Sequence, residues 1–138
     1  MKNEPLFIDT GAFYARYVSR DDFHQEAVAL WEKIRKNPPH PCLTTNFVLS
    51  EFITLLAYRF DAKSALQAAK EIYASHSIQI ISISREVEIK ALDWLEQFAD
   101  HRLSMTDVTS FVVMEEQKIR TVFTFDNDFK IAGFQEFQ

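Results

Sequence analysis

Pro5-Leu6-Phe7-Ile8-Asp9-Thr10-Gly11 is a short apolar run stopped by an acid, and Thr121-Val122-Phe123-Thr124-Phe125-Asp126 repeats the device near the other end of the chain. Short runs rich in β-branched and aromatic residues, bounded by turn formers, read as buried strands. A carboxylate just past each strand sits where open α/β sheets build their sites, beyond the carboxyl ends of the strands. If the two strands are neighbours, Asp9 and Asp126 meet at one edge.

Between these runs the chain alternates. Leu6 to Asp9 is the first strand, and Gly11 to Tyr17 reads as helical. Asp21-Asp22 start a helix to about Lys36, in which Phe23, Ala27, Leu30, Trp31 and Ile34 keep a helical period. Cys42 to Thr45 is a second strand, with Thr45 or Asn46 capping a helix through Phe60. Ala62 to Ser75 is amphipathic, and Ile78 to Ile83 is strand-like. Ser84 caps a helix to about Phe98, and Ser104 or Thr106 caps one to about Lys118. Thr121 to Phe125 is the next strand, and Gly133 to Phe137 adds a short last one. Strands separated by helices imply βαβ units with right-handed crossovers and a mostly parallel sheet, hence an α/β fold.

The bulk numbers restrict the function. A chain of 138 residues, 47% hydrophobic and 25% charged, is expected to form a single domain over 1–138 with a proper core. Thirteen Phe supply much of that core, and Phe47, Phe52, Phe98 and Phe111 read as packing and not as a platform for bases. With only Gly11 and Gly133, neither a Walker A loop nor a GxGxxG turn can be built. The lone Cys42 reads as a buried structural thiol, consistent with a reducing cytoplasm. No membrane-spanning run and no signal peptide is read, so the expected location is cytoplasmic. His24, His40, His76 and His101 lack zinc-site spacing, and no nucleophile elbow is present. A net charge of −5 argues against a broad nucleic-acid-binding face, unless dications locally reverse the sign.

Two further acids join the strand-end pair. Glu51 lies among Phe47, Val48 and Leu55 at helical spacing and is read as pointing inward from an apolar stripe. Asp107 opens the helix-like run from Val108. Each has an ordinary explanation: Asp9 as a helix cap, Glu51 as an ion-pair partner of Arg59 or Lys63, Asp107 as a first-turn acid, Asp126 as a turn residue. Together they suggest a convergent cluster, which repels itself unless protons or a hard dication such as Mg²⁺ or Mn²⁺ compensates.

The four segments also carry a resemblance. Phe7-Ile8-Asp9-Thr10-Gly11-Ala12-Phe13-Tyr14-Ala15 resembles the opening strand and turn of a PIN domain. Leu49-Ser50-Glu51 and Leu103-Ser104-Met105-Thr106-Asp107 match its second and third acidic positions. Val122 to Phe129, followed by Ala132-Gly133-Phe134, resembles its closing motif. The length is similar to stand-alone VapC-like toxins of toxin–antitoxin pairs. The resemblance implies a three-layer α/β/α sandwich around a four- to five-stranded sheet, and Mg²⁺- or Mn²⁺-dependent endoribonuclease activity. It implies one or two ions held by Asp9, Glu51, Asp107 and Asp126, and cleavage to a 5′-phosphate and a 3′-hydroxyl. Thr10 and Asp128 are auxiliary candidates, Thr10 by holding Asp9 or a metal-bound water. Arg16, Arg102 and Lys130 are candidate RNA contacts. The implied partners are RNA, a small antitoxin protein and a second copy in a homodimer. A housekeeping RNA-processing nuclease and an inactive PIN-fold binding module are the alternatives. A haloacid-dehalogenase-like phosphatase fails on Gly11, where a second Asp is required, and a receiver domain fails on Ile8 and Thr10 flanking Asp9.

Overall fold

Five short strands pair in parallel in the order β3-β2-β1-β4-β5, as seen in a computed structural model that describes residues 3–138. In chain order the elements are β1 (Leu6–Ile8), α1 (Thr10–Tyr17), α2 (His24–Arg35), β2 (Cys42–Thr45), α3 (Asn46–Arg59), α4 (Ala62–Ala74), β3 (Ile78–Ile81), α5 (Arg85–Gln97), α6 (Met105–Glu116), β4 (Thr121–Phe123), α7 (Asp128–Ile131) and β5 (Gln135–Glu136). The chain builds outward from β1 to β2 and β3, then returns to lay β4 on the other side of β1. That reversal opens a crevice beyond the carboxyl ends of β1 and β4. The register pairs Leu6 with Thr121, Phe7 with Val122 and Ile8 with Phe123.

The central strands are buried on both faces, as their continuous apolar runs require. Phe7, Phe13, Phe52, Phe111, Phe123 and Phe129 are fully buried between sheet and helices. Burying each such side chain contributes about 1.5–3 kcal/mol, and truncating Phe52 to Ala is expected to cost roughly 3–5 kcal/mol. Thr45, Asp61, Ser84 and Ser104 cap α3, α4, α5 and α6 by accepting backbone amides.

The differences from the sequence reading have local causes. α6 stops at Glu116, short of Lys118, because Lys118 adopts a left-handed conformation (φ 57°) and Ile119 N–H turns back to the Met114 carbonyl. β3 ends at Ile81, and the Ile83 amide leaves the ladder for the Asn46 side chain at 2.8 Å. β4 ends at Phe123, two residues early, since Thr124 and Phe125 already belong to the crevice. α2 begins at His24 and leaves Phe23 outside with 47% of its surface exposed, against the inward placement its period implies. No helix of the described residues is long and apolar enough to cross a membrane.

Candidate active site

Because Ile8 and Phe123 are register partners, the residues that follow them leave the sheet side by side. Asp9 N–H donates to the Phe123 carbonyl at 3.0 Å, completing the ladder. One step on, the Thr124 hydroxyl donates to Asp9 Oδ2 at 2.8 Å and accepts the Asp126 amide at 2.9 Å. A hydroxyl has a single proton, so with the amide on its lone pair that proton is committed to Asp9. Thr124 therefore ties the first acid to the last. The sequence reading missed it, since a threonine in a β-branched run carries no signal beyond strand propensity.

Asp107 arrives from the start of α6. Its Oδ2 accepts the Ser104 amide at 3.0 Å while Ser104 Oγ accepts the Asp107 amide at 3.0 Å, a complete capping box. Asp126 Oδ1 accepts the Asp128 amide at 2.9 Å. The ordinary explanations for these two acids are thus correct locally, and each uses one oxygen of the carboxylate. Asp107, Asp126 and Asp128 each bring one oxygen within 4.8 Å of the others. Asp128, expected only as an auxiliary, belongs to this tight group, whereas Asp9 and Glu51 flank it. Glu51 is half-buried, and instead of pointing into the core it lines an open hollow of about 350 Å³ with Phe47, Ser50, Thr54, Leu55 and Thr106. It pairs with neither Arg59 nor Lys63.

The electrostatics follow from this crowding. Burial pushes Asp9 up to about 7; the Thr124 hydroxyl and Thr10 amide pull it back, and the charges of Asp107 and Asp126 push the same way as burial. Burial likewise raises Asp107 to about 6, against the Ser104 hydrogen bonds and with the charges of Asp126 and Glu51. Asp128 is raised by partial burial and by Asp126, with His101 opposing. No lysine or arginine offsets the cluster: Lys90–Glu116, between α5 and α6, is the one ion pair among the described residues. Asp9 does not cap α1 through its side chain. The Thr10 hydroxyl does not hold Asp9 either; it is buried without a hydrogen-bond partner among the described residues. Carboxylate oxygens gathered without a paired lysine or arginine, beside an orphaned buried hydroxyl, form a donor set that fits a hard divalent cation.

The basic candidates are dispersed. Arg102 is exposed two residues before Ser104, and Lys130 is exposed on α7. Arg16 lies near the far end of α1, roughly 9 Å of helix from Thr10, with its guanidinium 4.8 Å over the Trp31 ring.

The family model described as PIN domain matches residues 6–135. The chain is a VapC-like member of the PIN-domain family. This PIN domain is 34% identical to the 23S rRNA-specific endonuclease VapC20 of Mycobacterium tuberculosis, over 95% of this chain and 96% of that protein. It is 32% identical to a VapC ribonuclease of Archaeoglobus fulgidus, over 90% of this chain and 78% of that protein. The crystal structure of the M. tuberculosis VapC20, a sarcin–ricin loop cleaving toxin, matches with a TM-score of 0.85 at 32% identity, covering 94% and 95% of the two chains. FitAcB of Neisseria gonorrhoeae, at 12% identity and a TM-score of 0.65 over 96% of each chain, shares the fold.

Proposed function

We propose that this PIN domain is a metal-dependent endoribonuclease that hydrolyses RNA phosphodiester bonds as the toxin of a toxin–antitoxin pair. The observation that carries this reading is the carboxylate cluster at the β1/β4 crevice, with three acids within 4.8 Å and no lysine or arginine paired to them among the described residues. The relatives' names as ribonucleases support the same reading.

In this reading Asp9, Glu51, Asp107 and Asp126 hold one or two Mg²⁺ or Mn²⁺ ions, with Asp128 as a further ligand. Bound there, a divalent cation supplies Lewis acidity, offsetting charge on phosphate oxygens and acidifying water. The chain's own part is preorganisation. Thr124 fixes one oxygen of Asp9, Ser104 one of Asp107, and the Asp128 amide one of Asp126, so the remaining oxygens are aimed without rotamer searching. Asp9 and Asp107, raised by burial, give up bound protons as the site takes up its cation. Arg102 and Lys130 are the exposed bases placed to meet RNA phosphates near the site. The expected partners are a small antitoxin protein and a second copy of the chain, and the expected location is the cytoplasm. Because one relative acts on 23S rRNA, large-subunit ribosomal RNA is the first substrate to try.

The test is incubation of partner-free protein with ribosomal and mixed RNA in Mg²⁺, Mn²⁺ or EDTA, beside an Asp9→Asn protein whose fold is checked by circular dichroism. Metal-dependent cutting that vanishes in the folded variant is the expected result. Equal cutting by the variant, or none by the wild type, would leave a PIN-fold binding module as the better reading.

A further inference from the structure

Phe23 stands just ahead of α2 and is an exposed aromatic ring. Its ring lies face to face with Phe125, centroids 4.6 Å apart and planes 12° from parallel. Phe125 is anchored from beneath by an edge-on contact to the buried Phe123 at 5.9 Å. It also packs over Gly11, where an added Cβ would lie 3.8 Å from the Phe125 ring. Both contacts tie the pair to the crevice: Gly11 is two residues past Asp9, and Phe125 stands between Thr124 and Asp126. Stacked on Phe125, Phe23 still has about half its surface in water.

We infer that the Phe23–Phe125 pair is a base-stacking platform that receives an unpaired nucleobase flanking the phosphate addressed by the acids. This rests on the ribonuclease reading and specifies its substrate as RNA with a splayed-out base at the cleavage point. Three features favour a nucleobase. The exposed ring is flat and aromatic, which suits a base of any sequence. The pair adjoins the residues that would meet the scissile phosphate. A chain of net charge −5 has little broad positive surface for RNA, so affinity must come from another source.

The experiment is steady-state cleavage of an RNA substrate by wild-type, Phe23→Ala, Phe23→Leu and Phe23→Trp proteins, each checked for folding by circular dichroism. Base–aromatic stacking is worth about 1–3 kcal/mol per base, so loss of the ring is expected to raise KM roughly tenfold, with kcat within about twofold. Phe23→Leu keeps the apolar bulk but should fail like Phe23→Ala, while Phe23→Trp should match the wild type. An abasic nucleotide beside the cleaved bond should cost the wild type the same factor and cost Phe23→Ala nothing more. A wild-type KM in Phe23→Ala or Phe23→Leu, or an abasic penalty that persists in Phe23→Ala, overturns the platform and leaves the nuclease intact. An absence of cleavage by the wild type removes the nuclease reading, and the platform with it.

Discussion

At the amino ends of β2 and β3, Arg16 and Arg35 share a cavity of about 430 Å³ with Tyr17, Trp31, Cys42 and Glu71. At the carboxyl ends of β1 and β4, acidic side chains share a rim. The basic end is balanced from within. The Arg16 guanidinium lies over the Trp31 indole, Glu71 offsets the repulsion from Arg35, and Tyr17 OH donates to Glu71 at 3.0 Å. The acidic end holds its carboxylates by hydrogen bonds, with no lysine or arginine paired to them among the described residues and only His101 opposing at Asp128. Hydrogen bonds orient a carboxylate but do not cancel its repulsion of the next one. The difference separates charge used for folding from charge left available for a ligand.

Removing a rim carboxylate should have the largest effect. Asp107→Asn and Asp126→Asn are expected to lower RNA cleavage by more than about a hundredfold in single-turnover assays, beyond the 10–100-fold typical of residues that only orient a ligand. Thr124→Val should fall inside that range, because Asp9 loses its donor and the Asp126 amide its acceptor, and Thr124→Ser should recover most of the activity. Recovery in Thr124→Val instead would show that the hydroxyl is incidental.

Metal and pH should act on the acidic end in opposite senses. Burial pushes Asp9 up to about 7 and Asp107 up to about 6, above the ordinary 3.8, so between those values the folded protein holds more protons than the unfolded chain. The contribution of these groups to the stability of the metal-free protein should therefore be greatest below about pH 4 and fall as pH rises through 6 and 7. Melting curves in EDTA at pH 5.5 and 8 should show this, and Asp9→Asn should flatten the slope. Adding Mn²⁺ at pH 8 to about a hundred times its dissociation constant should restore roughly 2.7 kcal/mol, a shift of several degrees. A melting temperature indifferent to both ion and pH would remove the contrast between the two ends. The smallest effect is expected at the basic end: Arg16→Met should cost about 1 kcal/mol of stability through the lost cation–π contact and leave cleavage within about twofold. A large, salt-dependent loss of cleavage would instead return Arg16 to the RNA-binding surface.

Much of this was legible in the residues. Leu6 to Ile8 and Cys42 to Thr45 are too short and too apolar for anything but buried strands, and the acids were visible because they interrupt such runs. What stayed hidden depends on distances across the sheet. Nothing local marks Thr124 as the partner of a residue 115 positions away, or Asp128 as closer to Asp107 than a turn residue need be. α7 was missed because its four residues, Asp128 to Ile131, follow a turn-like Asp-Asn-Asp and are too few to show a period. Glu51 was placed on the right helix but aimed into the core, since periodicity gives a face and not the hollow beside it. Phe23 failed for the opposite reason: its spacing fits α2, but the helix starts one residue later.

The pairing of β1 with β4 also sets the order in which the molecule is completed. Asp9 is made well before Asp126, and the hydroxyl that joins them belongs to the later segment. Chain synthesis proceeds at about 5–20 residues per second, so for several seconds between Asp9 and Asp126 the polypeptide holds only part of the rim. A translation product interrupted anywhere before residue 126 is without the acid that closes the crevice. The topology thus postpones the finished edge of the crevice until the segment carrying Thr124 and Asp126 has been made.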